Sequence, residues 1–185
     1  MRRLVYIFLL SVIIAACGTD APPEGAALTL RDSLPVMTTK GVSKLISDSG
    51  VIRYKIIAEE WQVFDKTTPP RQYFPKGIFL ERFDDNFKID MYITADTAFW
   101  YNQNLWELRG RVCMENLADG TVFNTEKLWW DMNRREFYSN VYMRIQQPDQ
   151  MLEGDKFTSN ESLTEYTVSK SRGYRPMPKD EEKEL

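Results

Sequence analysis

A hairpin-like pattern occurs twice in the middle of the chain, and this repeat constrains the fold more than any other feature of the sequence. Residues 94–112 read TADTAFWYNQNLWELRGRV, and residues 125–141 read TEKLWWDMNRREFYSNV. Each copy has a polar, acidic start, a bulky apolar run, a polar turn and a second apolar run. A third, more divergent copy follows over residues 154–168. Because each copy supplies two strands that the next copy can support, the repeat predicts a continuous antiparallel β-structure.

The chain before the repeat also alternates between apolar and polar residues with a period of two. Residues 52–56, 78–83 and 88–93 show this alternation, and turn residues such as Asp-Ser-Gly at 48–50 and Asp-Asp-Asn at 84–86 stand beside them. Long runs with helical spacing are scarce. Short strands separated by such turns predict an all-β fold of the sandwich or roll type.

One face of the repeated strands is almost wholly apolar. Taking every second residue from the aligned positions gives Ala98, Trp100, Leu108, Gly110, Val112, Met114, Leu128, Trp130, Phe137, Val141, Met143 and Phe157. The simplest explanation for any one of these side chains is a packed core. The period alone leaves open whether the interior is filled or is kept open for a guest molecule.

The N-terminus has the features of a bacterial secretory signal. Two arginines precede the apolar segment 4–14, which is shorter than the roughly 20 residues that a membrane-spanning helix needs. The sequence Ile-Ala-Ala-Cys at 14–17 resembles the lipobox of bacterial lipoproteins. We therefore expect residues 1–16 to be removed as a signal peptide and Cys17 to be acylated. The alternative is an ordinary signal peptide or a short anchor with a bystander cysteine.

Composition divides the remaining chain into three parts. Residues 17–40 contain prolines and small residues without a sustained period and are predicted to be a tether, whereas residues 175–185 are predicted to be a disordered, charged tail. The folded domain is predicted over residues 41–174. A chain of this length favours one domain of this kind.

The residue types present argue against several kinds of function. The formal net charge of −3 gives no sign of nucleic-acid binding, and the chain has no histidine, the commonest general base and metal ligand. Cys113 lies on a predicted strand and is expected to pack as a small apolar side chain. Adjacent acids at 59–60 and 84–85 are better explained as a strand end and a turn than as a catalytic pair. We therefore expect neither an enzyme nor a cofactor or metal site.

Four segments carry a recognisable motif: ITAD at 93–96, LWELRGRV at 105–112, TEKLWWD at 125–131 and EGDKF at 153–157. They resemble the repeat of the LptA/LptC lipopolysaccharide-transport family, which has an Ala-Asp opening, a Tyr/Trp-Asp turn and a Gly-x-Val in the returning strand. Each segment is a weak signal alone, but their order and spacing are fairly specific. In addition, KLISDSGVIRYK at 44–55 and YFPKGI at 73–78 resemble the N-terminal half of LptC-like proteins.

The resemblance implies an incomplete β-jellyroll of antiparallel strands with an apolar groove, lined by the twelve residues named above. It also implies a role in lipopolysaccharide export: the protein would receive lipopolysaccharide from an inner-membrane ABC transporter with LptB-, LptF- and LptG-like subunits. It would then pass the lipid to a periplasmic LptA-like bridge protein. Contacts with these partners are expected at the two edges of the domain, with candidates Leu45, Ile52 and Tyr54 at the first and Leu163, Thr167 and Val168 at the last.

The implied location is the periplasmic side of the inner membrane, with attachment through the lipid on Cys17. Two features depart from the best-known form of LptC, which keeps an uncleaved transmembrane helix and is held at the inner membrane. Here a lipobox replaces that helix, and Gly18 follows the cysteine instead of the aspartate that retains enterobacterial lipoproteins at the inner membrane. The outer membrane is therefore an open alternative.

Two other functions stay open at this point: a sugar-binding or other β-sandwich envelope lipoprotein, and an LptA-like bridge protein. The direction of Trp100 and Trp130 separates lipid binding from sugar binding. Inward-pointing indoles favour a lipid interior, and outward-pointing indoles on a flat sheet face favour stacking on sugar rings.

Overall fold

All strand pairings in the structure, a computed structural model that describes residues 33–174, are antiparallel. This confirms the all-β prediction. The predicted signal peptide, Cys17 and the predicted tail 175–185 lie outside the described residues. The strands are β1 (Met37–Asp48), β2 (Val51–Phe64), β3 (Arg71–Phe74), β4 (Ile78–Phe83), β5 (Ile89–Ala95), β6 (Thr97–Tyr101), β7 (Leu105–Asn116), β8 (Val122–Asp131), β9 (Glu136–Ser139), β10 (Met143–Gln147), β11 (Gln150–Gly154), β12 (Lys156–Asn160), β13 (Tyr166–Ser169) and β14 (Arg172–Tyr174).

Asparagine and aspartate residues define most of the turns between these strands. The Asp84 carboxylate accepts hydrogen bonds from the backbone N–H groups of Asn86 (2.8 Å) and Lys88 (2.9 Å). The Asp131 carboxylate does the same for the β8–β9 turn, and the Asn160 side-chain oxygen for the β12–β13 turn. Since these short side chains satisfy turn donors that have no strand partner, they fix the hairpins that the repeat predicted.

The hydrogen-bonded sheet bends along one line and forms two halves. Half A contains β3, β6, β9, β12 and β13, and half B contains β4, β5, β10, β11 and β14. The long strands β1, β2, β7 and β8 cross the line, and β7, for example, pairs with β6 before the bend and with β5 after it. Each copy of the sequence repeat therefore contributes strands to both halves.

Gly110 marks the bend in β7. It has a φ of +73°, the following Arg111 has a φ of +42°, and the pairing with β8 shifts register between Arg109 and Val112. Two residues of β7 thus oppose one residue of β8, which is a β-bulge. The prediction of Gly110 as a residue that lines the groove is wrong, because a Cβ there would lie 2.7 Å from the Asp96 carboxylate.

Buried hydroxyl groups hold the bends of the neighbouring strands. The Thr125 hydroxyl of β8 donates to the Tyr142 carbonyl (2.8 Å), and the Ser139 hydroxyl of β9 donates to the Lys127 carbonyl (2.7 Å). Between β9 and β10 the chain makes a bend instead of continuing as a strand, and Val141 lies in it, half-buried. The prediction of Val141 as an interior strand residue is therefore wrong, since the strand alternation stops at Ser139.

Within residues 33–174 the sheet does not close on itself. In this part of the chain β1 pairs only with β2 and forms one edge, whereas β13 pairs only with β12 and β14 only with β11 at the other edge. Among the predicted edge residues, Leu45 lies on β1, and Thr167 and Val168 lie on β13. β1 begins at Met37, so the first strand starts inside the stretch predicted as a tether.

Three of the predicted edge positions are wrong. Ile52 and Tyr54 lie on β2, which is paired with β1 on one side and with β4 on the other. Leu163 lies in the β12–β13 turn with a φ of +57° and is 4% exposed, so it packs in the core. The positions of Ile52 and Tyr54 depend on the pairing of β2 with β4, which lies farther along the chain, and a local pattern does not show such a pairing.

Candidate functional site

The apolar side chains of both halves meet in one shared interior. Tyr54 of half B contacts Trp130 of half A with ring centroids 4.6 Å apart, and Phe123 of half B contacts Phe157 of half A at 4.4 Å. Ten of the twelve predicted groove residues lie in this interior at 5% exposure or less: Ala98, Trp100, Leu108, Val112, Met114, Leu128, Trp130, Phe137, Met143 and Phe157. In this structure, therefore, these side chains pack as a filled core.

Aromatic side chains form a row across half A. Trp100, Trp106, Trp130 and Phe137 are direct cross-strand partners on β6, β7, β8 and β9. The ring centroids along this row are 4.8, 6.2 and 5.6 Å apart. The row gives the interior a continuous apolar surface across β6, β7, β8 and β9.

The pattern from the repeat missed part of this interior. Half B contributes Ile56, Leu80, Met91 and Ile93, all buried, and half A contributes Phe74 and Trp106 in addition to the predicted residues. Trp106 has the same strand parity as Leu108, so a signal for it was present in the sequence. The half B residues belong to period-2 segments that were recognised as strands, but nothing local shows that they share one core with the repeat.

Polar groups close the mouth of the interior, where the turns of half A meet the strand ends of half B. An Arg135 nitrogen lies 2.9 Å from the Asp48 carboxylate, the Asn116 amide donates to the Ser162 carbonyl at 3.3 Å, and Arg82 donates to the Glu161 carbonyl. A cleft of about 680 Å³ lies beside these groups. The two halves are thus joined at the mouth by polar contacts, of which the Arg135–Asp48 pair is exposed and the other two are partly buried.

Tryptophan N–H groups in the interior differ in their hydrogen bonding. The Trp130 indole donates to the Glu161 carboxylate at 2.7 Å. By contrast, the Nε1 atoms of Trp61, Trp100 and Trp106 are buried without a partner. All three lie at the β2–β3–β6–β7 side of the interior.

Lys44 lies at the same side of the interior. It is half-buried on β1, with its ammonium nitrogen 4.5 Å from the Trp100 ring centroid and 5.0 Å from that of Trp61. Burial lowers the pKa of Lys44 from its ordinary value. The interior therefore has one polar corner that combines a cation with unpartnered donors.

A second aromatic cluster covers the outer face of half A. Tyr73, Phe99, Tyr101, Trp129 and Tyr138 stack in sequence, with Arg109 above Phe99 at 4.8 Å and Lys127 above Trp129 at 4.9 Å. Because the rings cover one another and carry cationic side chains, little free ring face is left for sugar stacking. Trp100 and Trp130 point inward, which favours the lipid hypothesis over the sugar hypothesis.

Glu107 stands among these outer residues at 1% exposure. It accepts hydrogen bonds from Arg109 (2.7 Å) and Tyr101 (3.0 Å), and the Lys127 ammonium lies 2.8 Å away. Burial alone would raise the pKa of Glu107, but the bonds from Lys127, Arg109 and Tyr101 outweigh it and hold the pKa below its ordinary value. The Glu107 carboxylate therefore stays ionised and stabilises the outer face of half A through these three contacts.

The remaining chemistry of the described residues is sparse. Cys113 is a free, half-buried thiol whose pKa is raised by burial, the opposite of an activated nucleophile. Within residues 33–174 no group of three or more Asp, Glu or Cys side chains is arranged to hold a metal ion. In the same part of the chain, no helix has the length and apolar character that crossing a membrane requires.

Comparison with solved structures gives the fold. The chain is similar to the crystal structure of LptH from Pseudomonas aeruginosa, the LptA-homologous periplasmic component of the conserved lipopolysaccharide transport device. The TM-score is 0.50 at 11% sequence identity, over 62% of this chain and 80% of that one. At this identity the likeness shows the β-jellyroll fold alone, and it agrees with the antiparallel, unclosed sheet described above. A search among curated proteins gives no match.

The match to a known protein family covers most of the sequence. Residues 4–174 match the family described as LptC: Lipopolysaccharide-assembly, LptC-related. The match spans the repeat, both sheet halves and both edges. The chain therefore belongs to the LptC-related family of lipopolysaccharide-assembly proteins.

Proposed function

We propose that this protein receives lipopolysaccharide from an inner-membrane ABC transporter with LptB-, LptF- and LptG-like subunits and passes it to a periplasmic LptA-like bridge protein. The observation that carries the proposal is the shared interior, in which the aromatic row of half A faces apolar side chains of half B. Moving one CH₂ group of an acyl chain from water into an apolar interior is favourable by about 0.8 kcal/mol. Such an interior can therefore shield acyl chains that are insoluble in the periplasm. This is a carrier role without catalysis.

The packed interior must open for a lipid to enter. The two halves have separate hydrogen-bond ladders beyond the bend. At the mouth of the interior, a few polar contacts join one half to the other. Methionines such as Met91, Met114 and Met143 lie among the buried residues and adapt readily to a new neighbour because their side chains are flexible. A lipid can thus replace side-chain contacts between the halves without loss of either ladder.

Photo-crosslinking tests this role. A crosslinker placed at Val112 or Trp130, both fully buried in the interior, should capture lipopolysaccharide when the transporter is supplied with ATP. The matched positions on the opposite face are Arg109 and Arg111, which should capture none. Equal labelling of both faces, or no labelling of an interior position in folded protein, would mean that the interior is an ordinary core.

The proposed anchor is an acyl group on Cys17. Mass spectrometry of the membrane fraction should find Cys17 as the acylated N-terminal residue and no peptide from residues 1–16. A Cys17→Ala protein should accumulate as the unprocessed precursor. An intact, unacylated N-terminus in the wild-type protein would contradict the anchor. Separation of inner and outer membranes in the same preparation would show which of them holds the protein.

The two sheet edges are the proposed contact surfaces. β1 would face the transporter side and β13 the bridge protein, since an unpaired edge strand can add a strand from another chain. Leu45 on β1 is 53% exposed, as expected for a contact residue at a free edge. On this proposal Leu45, Thr167 and Val168 remain candidate contact residues.

A further inference from the structure

In the part of the chain that the structure describes, the buried side-chain polar atoms that lack partners all lie on one side of the fold. Among the described residues they are Nε1 of Trp61, Trp100 and Trp106, Nε of Arg71 and Oε1 of Gln72. These residues lie on β2, β3, β6 and β7, which are neighbours in half A. Four of the five atoms are hydrogen-bond donors. Buried polar groups are normally paired, so a cluster of this kind indicates a site whose acceptor is supplied by another molecule.

The three indole donors and the Gln72 side chain point toward the interior. Gln72 is the cross-strand partner of Trp100, and Trp100 is the partner of Trp106, so these side chains share one face. Trp100 and Trp106 are 5% and 0% exposed, which leaves their N–H groups no access to bulk water. An unsatisfied buried donor costs roughly 1–3 kcal/mol, and a hydrocarbon ligand would not remove this cost.

Lys44 adds a positive charge to the same corner. Its ammonium group lies over the Trp61 and Trp100 rings, and no carboxylate lies within ion-pair distance of it among the described residues. A cleft of about 380 Å³ opens at Trp100 and Gln72, and Asp65 and Arg71 also line it. The corner therefore presents a cation and several N–H donors next to the apolar aromatic row.

We propose that this corner, made of Lys44, Trp61, Trp100 and Trp106, binds a phosphate group at the head of a multiply acylated lipid. Phosphate oxygens accept from the indole N–H groups and neutralise the Lys44 ammonium, while the acyl chains extend along the Trp106–Trp130–Phe137 row. The inference rests on the proposed function and specifies where the polar end of the lipid lies. It assigns the orientation of the lipid, with its phosphate toward β1 and its chains toward β9.

The test compares the affinities of the full-length protein for bisphosphorylated lipid A and for the same lipid after dephosphorylation. Wild-type protein should bind the phosphorylated lipid at least fivefold more tightly. Lys44→Met should reduce this ratio to near one, Lys44→Arg should retain most of it, and Trp100→Phe, which removes an N–H but keeps an aromatic ring, should lower it severalfold. Lys40→Met, which removes a charge from the exposed side of the same strand, should leave the ratio unchanged.

Trp130→Phe provides the matched control for the indole. The Trp130 N–H already has the Glu161 carboxylate as its partner, so this change should alter the affinities for both lipids alike and leave their ratio as in the wild type. A Lys44→Met protein with the wild-type ratio would overturn the inference while leaving the proposed function intact. Inorganic phosphate that binds with the same dependence on Lys44 would identify a free-anion site and overturn the lipid assignment. Wild-type protein that binds neither lipid would overturn the proposed function as well.

Discussion

Glu107 shows how a single residue stabilises the outer face of half A. Its carboxylate is almost fully buried and is surrounded by Lys127, Arg109 and Tyr101, so it stays ionised at neutral pH. A carboxylate whose pKa is lowered in the folded protein contributes stability above its unfolded pKa. That contribution is lost as the pH falls from the ordinary value of 4.5 through the folded pKa.

We therefore expect Glu107→Gln to lower the free energy of unfolding by about 1–3 kcal/mol at pH 7, because two cations lose their shared anion. The difference from wild type should shrink as the pH falls below 4.5. Urea denaturation at a series of pH values measures this. Glu115→Gln on the exposed face of the same strand is the control and should stay close to wild type. A constant difference at all pH values would mean that the charge of Glu107 contributes nothing.

Gly110 offers a second test at the residue scale. Its φ of +73° disfavours any side chain, and an added Cβ would also meet Asp96 atoms at 2.7–3.2 Å. Gly41 on β1 has a similar φ of +64° but has no atom within 4 Å of its would-be Cβ. The two glycines thus differ in contact but not in backbone conformation.

Gly41→Ala should cost about 1 kcal/mol of unfolding free energy from backbone strain, and Gly110→Ala should cost about 2–4 kcal/mol from strain plus the contact with Asp96. Chemical denaturation of the two variants measures the difference. Gly110→Ala should regain part of its loss when combined with Asp96→Gly. Equal losses for the two single variants would show that the contact with Asp96 has no energetic effect.

At the scale of elements, the backbone N–H groups of the edge strand β13 point alternately toward β12 and away from it. The Asn160 N–H donates to the Glu165 carbonyl at 3.1 Å, and Thr158 is the partner of Thr167 in the same ladder. Because hydrogen-bonded pairs alternate in an antiparallel ladder, the Thr167 N–H points to β12, and the N–H groups of Tyr166 and Val168 point away from the sheet. Val168, not Thr167, is therefore the position at which to remove a free edge donor.

We expect Val168→Pro to weaken binding of the LptA-like bridge protein by tenfold or more while the domain stays folded, since it removes an outward donor and spares the inner ladder. Thr167→Pro should instead lower stability, because it breaks the bond to β12. Val168→Ala corrects for the lost side chain, which packs against the core. Affinity capture with purified bridge protein, beside thermal denaturation, measures both effects. Undiminished binding by folded Val168→Pro would exclude β13 as the contact edge.

The elements also show how far the sequence determines the fold by local rules. The hairpins of the repeat follow from alternation and from turn residues such as Asp131 and Asn160, and all of these act within a few residues. The bend does not follow from alternation. In β8 the buried residues have odd numbers up to Thr125 and even numbers from Leu128 onward, so the inward-facing set changes within one strand. The pairing of β2 with β4, which removed Tyr54 from the edge, depends on contacts between distant segments. The polar corner at Lys44 had no local signal, because it forms only when β1 faces β6 across the interior.

At the scale of the whole molecule, lipid uptake requires the two halves to separate while each keeps its own ladder. The exposed ion pair between Arg135 and Asp48 contributes little to stability, since surface pairs are typically worth 0–1 kcal/mol. Its position matters more, because it joins a turn of half A to a strand end of half B across the mouth. A covalent link at this point should hold the halves together.

We expect a cleavable bis-maleimide link between Asp48→Cys and Arg135→Cys to abolish capture of lipid A by folded protein. The chain carries Cys113→Ser and keeps Cys17, whose thiol is blocked by the proposed acyl group. Cleavage of the link should restore capture. The control is the same link between Arg144→Cys and Glu153→Cys, which also replaces an ion pair at 2.9 Å but joins β10 and β11 within half B. That link should leave capture unchanged, because it does not cross the mouth. If the protein linked across the mouth captured lipid as well as the control, the acyl chains would have to enter without separation of the halves, by way of the open edges at β1 or β13.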